Sequence, residues 1–426
     1  MNLSKTTDSS NQSNLITASR WMALMCAFGI PWSNGFFNFG FYLMGICFLL
    51  GMPYLKNWQD AFKTPAVIIA STLFIFILIK TCFSVTPWET GKHDLMNYRK
   101  LLAIPVFLTL FKSNEQKKLL IISYCLGVIV LMLPTLIDGF GLGQVIEYLN
   151  FFRKNAAYNI SQNGAPNLVY WRNQIVHGFH VSILFSASLL GGIYYKKYRA
   201  PLLVLVALCA IDLLFFIYGR MALISLFFSL SVIALIHLRS KKHIAIILTI
   251  IAIATSSAYF AIPSVKVRIS SISNETSAYK DKNDIHTSAG ERLHYWNVSW
   301  NMFKESPITG MGSGSFKYQL QNTSDPLAPL GRGHTHNEYL TQLSQYGLIG
   351  FILFISLIIT TIKNTSTITD SWLANLTMTA TAIFALNCLT DSSLHNDWEG
   401  WAFVLIVAIA SNQSKIKFTS NPTCCV

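Results

Sequence analysis

The sequence predicts an all-α polytopic integral membrane protein with about twelve transmembrane helices and a long, partly helical loop before the tenth. Three observations carry this. Of its 426 residues 52% are hydrophobic and only 12% charged, against roughly 25% charged in soluble domains. The apolar residues gather in runs of membrane length, and the basic residues fall in short clusters between those runs. A formal net charge of +13 would suit nucleic acid if it formed one patch. Scattered between spans, it reads as membrane topology, and we expect no nucleic-acid partner.

A helix rises about 1.5 Å per residue and must cover roughly 30 Å of hydrocarbon. Runs that approach this length predict helices at Ile16 to Pro31, Phe36 to Tyr54, Pro65 to Phe83, Leu101 to Phe111, Leu119 to Ile137, Ile175 to Tyr195, Pro201 to Tyr218, Met221 to Leu238, Ile244 to Ile262, Tyr339 to Ile362, Trp372 to Leu389 and Trp401 to Ser411. The fourth and the last are short and need flanking residues to span. The N-terminus is polar through Asn14 and lacks a small-x-small cleavage site before Trp32, so the first run reads as a retained helix.

Positive charge accumulates in short cytoplasmic loops. Lys56 with Lys63, Lys112 with Lys117 and Lys118, Lys196 with Lys197 and Arg199, Arg239 with Lys241 and Lys242, Lys363, and Lys415 with Lys417 all fall on one side, so both termini are expected there. The other side receives the turn Ser33 to Gly35, the segment Val85 to Lys100, the loop Asp138 to Arg172, the long loop Pro263 to Glu338 and the turn Asp391 to Glu399. Arg99 and Lys100 break the charge rule. This divides the chain into an N-terminal bundle of about nine helices (residues 1–262), a loop region (263–338) and C-terminal helices with a cytoplasmic tail (339–426). Five cysteines lie inside apolar runs, Cys82 lies near the end of another, Cys424 and Cys425 end the chain, and none lies in the longest loop. Neither a disulfide framework nor a metal cluster is expected.

The remaining unusual residues collect on the non-cytoplasmic side: Arg172, His177, His180, Arg220, Arg292, His334, His336, Asp391 and His395. Charges at the ends of apolar helices are costly enough to be functional candidates. In FFIYGRMALISLFF, Arg220 stands between two apolar runs joined by almost no loop. It either snorkels to headgroup phosphates or clamps a phosphorylated lipid. Lys80, near the end of the third run, is a weaker candidate of the same kind. In the long loop, SAGERLHYWNVSWNMFKESPITG predicts a short helix opened by a capping box, Ser288 with Glu291. Leu293, Trp296, Trp300 and Phe303 give it one apolar face, able to lie on the membrane or on helix ends. Arg292 lies in its first turn, either pairing with Glu291 or Glu305 on the surface or meeting a headgroup. After it, Gly310, Gly312 and Gly314 alternate, which suits either a flexible bend or a backbone approach to an anion. The turn lacks the Lys-Ser/Thr ending of a P-loop and follows no strand, so nucleotide binding is rejected.

From Gly331 to Phe351, GRGHTHNEYLTQLSQYGLIGF turns a polar loop with His334 and His336 directly into a strongly apolar helix. A histidine there stays wet enough to exchange protons yet can face substrates carried on lipid. The bland alternative is a loop histidine bonded to nearby carbonyls. Carboxylates near this stretch are few, Glu291, Glu305, Asp325 and Glu338, and no Asp-x-Asp is present to hold a metal-bound nucleotide sugar. No metal is expected at the histidine pair.

Taken together, an Arg opening a short helix, ESPITGMGSGSF, and HTHNEYLTQLSQYGLIGF leading into a membrane helix resemble the signature of the O-antigen ligase and polymerase superfamily. The likeness is closest over Gly290 to Phe351, and the Arg220 junction and the LTDSSLHND turn look similar too. The resemblance implies a GT-C-like helical membrane fold and an inverting, metal-independent glycosyltransferase without cofactor. It implies His336 as base and Arg220 and Arg292 as ligands of the donor pyrophosphate. His334, Asn337, Lys80, Arg99 and Asp391 are possible supporting residues. The donor would be a glycan on undecaprenyl pyrophosphate and the acceptor, in the ligase branch, the lipid A core, at the periplasmic face of a bacterial inner membrane. O-antigen polymerase and O-linked protein oligosaccharyltransferase share that donor. A lipid-linked oligosaccharide transporter would place charges at mid-membrane on several helices, whereas here they cluster at one face.

Overall fold

A computed structural model describes residues 3–55, 58–142, 173–217, 219–238, 240–261, 263–323, 325–330 and 333–411. Arg172, most of its loop, Lys56, Arg239, and the tail with Lys415, Lys417, Cys424 and Cys425 lie outside the described residues.

Among the described residues the fold is entirely helical. In chain order the helices are α1 (Leu3–Gly29), α2 (Asn34–Gly51), α3 (Pro65–Cys82), α4 (Trp88–Tyr98), α5 (Ile104–Leu110), α6 (Asn114–Gly139), α7 (Gln174–Tyr194), α8 (Arg199–Ile211), α9 (Arg220–His237), α10 (Lys241–Ala261), α11 (Pro263–Lys282), α12 (Ser288–Glu305), α13 (Ser315–Asn322), α14 (Glu338–Thr365), α15 (Ser371–Asn387) and α16 (Asp397–Ala410). Their starts follow local chemistry, because the first N–H groups of a helix have no partner within it. Ser113 and Gln116 form a reciprocal capping box on α6. Asn173 accepts from the first turn of α7, and Asp370 from that of α15.

Among the described residues each predicted apolar run is helical over most of its length, and seven helices are long and apolar enough to cross a membrane. This is a multi-pass membrane protein. α5 and α16, at 7 and 14 residues, fall short of that length. α16 is buried on nearly every side from Glu399 to Ala410 and is wedged among α5, α14 and α15. Its Phe403 stacks on Phe384 of α15 at 3.9 Å between ring centroids. α7 is the other core helix, packed against α6, α8, α9 and α15.

Polar contacts sort the helix ends into two groups. At one end Lys118 pairs with Asp370 at 2.6 Å, Asn114 bonds Thr369, and Lys117 donates to the Ser411 carbonyl at 2.8 Å. The charge pattern predicts that those segments share one side. At the other end Lys100, fully buried, donates to the carbonyls of Leu394, His395 and Asn396 and lies 3.5 Å from Asp397. Its break with the charge rule thus has a local cause: this ammonium staples the turn before α16.

Three helices arise where the sequence predicts only connections: α4, α13 and the 20-residue α11. The predicted loop helix exists as α12 with a different cap. Thr287, not Ser288, is the N-cap and accepts the Gly290 N–H at 3.0 Å. The third position after Thr287 is a glycine, so no capping box forms.

Candidate active site

The site is framed by α14 and the turn between α15 and α16. Asn337 caps α14, accepting the Leu340 N–H at 3.1 Å and donating through Nδ2 to the Leu389 carbonyl at 3.1 Å. Glu338, fully buried, stitches the same two segments together. Its backbone N–H donates to the carbonyls of Cys388 at 2.8 Å and Asp391 at 3.1 Å, while its Oε2 accepts the N–H groups of Leu394 and His395, each at 3.0 Å. Gln342 Nε2 donates to its other oxygen at 2.7 Å. A buried carboxylate is tolerated when charged groups and N–H donors surround it in this way.

That frame sets Asp391, whose Oδ1 accepts the Ser392 N–H at 2.9 Å and stands 3.4 Å from His336 Nδ1. Burial pushes the Asp391 carboxyl up, but the His336 contact, the neighbouring histidines and the Ser392 N–H outweigh it and hold it at about 2. His336 itself adopts a left-handed backbone, φ +52°. Only a few per cent of non-glycine residues do so, histidine more than most, and such strain collects at functional sites. Thr335 supports the bend, its Oγ1 accepting the Asn337 N–H and donating to the Asn337 carbonyl at 2.7 Å. The ring of His336 lies nearly parallel to Tyr295, 14° between planes, and its Nε2 is 4.0 Å from Glu291 on α12.

His334 completes a row of imidazoles. Its ring centroid is 4.5 Å from that of His336 and 5.7 Å from that of His395. His395 Nε2 in turn lies 2.6 Å from Asp94 of α4, whose other oxygen accepts the Gly314 N–H at 3.0 Å. Burial lowers the His395 pKa, but Asp94 beside it raises it above the ordinary histidine value, and the Asp94 carboxyl is held correspondingly low.

Two arginines approach from α9 and α12. Arg220 is the first residue of α9, and its guanidinium donates to Glu275 Oε1 on α11. Glu275 Oε2 accepts the Ala289 N–H at 2.8 Å, in the first turn of α12. One turn on, Arg292 folds back on Ser288, donating to its carbonyl at 2.9 Å and its hydroxyl at 2.6 Å. Burial lowers the Arg292 pKa; the charge of Asp391 opposes this, and the like charge of Arg220 adds to it.

The sequence profile of the O-antigen ligase family matches residues 205–355. The chain is 24% identical over 314 residues to an O-antigen ligase of Escherichia coli K12, covering 70% of each. It is 33% identical over 125 residues to an uncharacterised Haemophilus influenzae protein, 28% of this chain and about a third (31%) of that protein's length. A candidate polysaccharide ligase of Rickettsia bellii is 29% identical over 180 residues, 41% of this chain and 42% of its own.

Over residues 205–355 the chain is thus similar to the O-antigen ligase family. Of the residues singled out from the sequence, His334, His336, Asn337 and Asp391 lie around one turn, and Arg220 is joined through Glu275 to α12, the helix that carries Arg292. Lys80 is placed apart, its Nζ 3.5 Å from Thr309. Arg99 is also placed apart, its guanidinium donating to the Met96 carbonyl three residues back.

The glycine signature directs its N–H groups to partners within the fold. Gly312 N–H donates to Gln345 O at 2.8 Å, Met311 N–H to Ser344 O at 3.1 Å, Leu348 N–H to Pro307 O at 2.9 Å and Ile349 N–H to Ile308 O at 3.2 Å. The 307–312 turn is thus zipped along α14 where Gly347, φ +63°, breaks the helix. With the Gly314 N–H on Asp94 and the Gly310 N–H on Ser306 O, these donors are engaged within the fold.

Sequence reasoning passed over Glu275 and Asp94 and counted Glu338 only as a nearby acid. Asn337 before an acidic residue and an apolar run was a legible cap signal. A carboxylate on a polar helix such as α11 carries no comparable mark.

Proposed function

We propose that the chain is an O-antigen ligase, moving a polysaccharide from undecaprenyl pyrophosphate to a sugar hydroxyl of the lipid A core at the periplasmic face of the inner membrane. The proposal includes twelve spans in a GT-C-like arrangement and the three-part division at residues 262 and 338. What supports it is the His336–Asp391 pair, 3.4 Å apart beside α12, with Arg220 tied through Glu275 to the same helix, which carries Arg292. The ligase names of the relatives favour this reading over the polymerase.

In this reading Asp391 accepts the Nδ1 proton of His336 and leaves Nε2 as the basic nitrogen. Nε2 takes the proton of the acceptor hydroxyl as it attacks the anomeric carbon. The C–O bond to pyrophosphate breaks in the same step, so the configuration inverts. Arg220 and Arg292 stabilise the charge that develops on the leaving diphosphate. Charge-assisted hydrogen bonds are worth roughly 1.5–3 kcal/mol each, so two arginines can change the rate by orders of magnitude.

His334, His336 and Asp391 each offer a ligand atom within 4.8 Å of the others, a donor set that zinc accepts. The base role argues against that use, because an imidazole nitrogen bound to a metal has no lone pair left for the acceptor's proton. Transfer is expected to persist in EDTA.

The test is a deletion strain examined by lipopolysaccharide gel. Loss of all polymer-capped core, with full-length polymer left on the carrier lipid, is expected. Wild type should restore capping and His336→Ala should not, although donor binding persists. A core bearing a single repeat would mean a polymerase, and normal lipopolysaccharide with unglycosylated proteins would mean the protein-directed enzyme. Ligation by His336→Ala would remove the base assignment.

A further inference from the structure

Glu275 is bonded both to a candidate donor ligand and to the helix that carries the other. Its Oε1 takes the guanidinium of Arg220 and its Oε2 the N–H of Ala289, three residues before Arg292. Both partners of this ion pair are only about one-fifth exposed, 23% and 19%, so the attraction is weakly screened. A diphosphate seated on Arg220 would lie beside this carboxylate. Like charges that close in a partly desolvated site repel strongly, so donor and Glu275 cannot both hold the guanidinium at full strength.

We infer that Glu275 is a resident anion that occupies Arg220 when no donor is bound and is displaced from it by the donor's diphosphate. This rests on the proposed role of the arginines. The two bonds of the carboxylate make the exchange local. When Arg220 turns to the diphosphate, Glu275 keeps the Ala289 N–H, so α12 and Arg292 stay where they are. When the leaving diphosphate must depart, the same carboxylate is positioned to reclaim the guanidinium. Glu275 is therefore a determinant of donor and product affinity, without touching the reacting atoms.

The experiment is steady-state transfer by the purified full-length protein, comparing wild type, Glu275→Gln, Arg220→Ala and the double variant. Inhibition by inorganic pyrophosphate and by undecaprenyl pyrophosphate is measured on each. Glu275→Gln keeps the shape and one acceptor oxygen but removes the charge. It should lower the donor KM, and the inhibition constant of both diphosphates, about five- to tenfold, the effect of releasing one partly buried ion pair. That gain should vanish in the Arg220→Ala background. A KM that is unchanged or raised in Glu275→Gln, while Arg220→Ala raises it, would overturn the resident-anion role and leave Glu275 as a positioning residue. Unchanged donor KM in Arg220→Ala would instead sink the underlying role of the arginine. If Glu275→Gln melts earlier than wild type, the pyrophosphate inhibition constant, measured below the melting range, decides in the same way.

Discussion

Asp94 and His395 face each other at 2.6 Å, almost fully buried, one on the fourth helix and the other on the turn that carries Asp391. His395 has a raised pKa, so its contribution is complete below about 6.5 and fades as pH climbs through the folded value. Asp94 has a lowered pKa, so its contribution is complete above roughly 4 and fades as pH falls through the folded value. Both terms are therefore whole only between those limits. Asp94→Asn should lower the melting temperature most near pH 5–6, by about 5 °C or more, since it strands a buried cation. The gap should narrow as pH rises past the raised His395 value, and a gap that is flat from pH 5 to 9 would show that the pair is not ionic. At this scale the sequence exposed the residues that break a local rule, such as His336 in a greasy junction or Arg220 between two spans. The carboxylates Glu275, bonded to Arg220, and Asp94, bonded to His395, were silent, because a carboxylate in a polar stretch looks the same whether it faces solvent or a buried cation.

Among the elements, α14 is two helices meeting at Gly347. The break leaves backbone groups without helical partners, and the 307–312 turn supplies them. A Cβ at Gly347 would fall 2.4 Å from Ile308 O and 2.6 Å from Gly310 N, on a backbone that L-residues avoid. Gly347→Ala should therefore cost about 2–4 kcal/mol and depress transfer as well, because Asn337 and Glu338 sit on the displaced half. Thermal unfolding in detergent checks the first, and lipopolysaccharide capping the second. Wild-type behaviour in both would mean that the chain relaxes around the methyl group. The apolar stretches of α14 and its neighbours were legible because hydrophobic runs of that length have one solution in a bilayer. The kink, the zipped turn and α11 were not, since each depends on long-range backbone contacts or on a polar helix with no apolar stripe.

For the molecule as a whole, the charge pattern and the packing agree on which ends lie together. In a chain with its eight cysteines replaced by serine, Lys92→Cys and Lys63→Cys give exposed probes at the two ends, since both lysines are more than half exposed. A membrane-impermeant maleimide added to cells with a permeabilised outer membrane should label position 92 and not position 63. The reverse would invert the proposed orientation and move the site to the cytoplasm. The helical runs, and which helix ends lie together, were readable from composition and charge because a bilayer imposes both. The convergence of α4, α9, α12 and the α15–α16 turn was not, because no local periodicity encodes which helices become neighbours.

Asp94 and His395, neighbours in the folded protein, are 301 positions apart in sequence, and the ammonium of Lys100 grips carbonyls almost as distant along the chain. A ribosome must make everything between them before either has its counterpart. Until then the nascent chain carries an imidazole that nothing aims. The turn that carries Asp391 beside His336 is thus locked to α4 and to Lys100 only once it has itself been made.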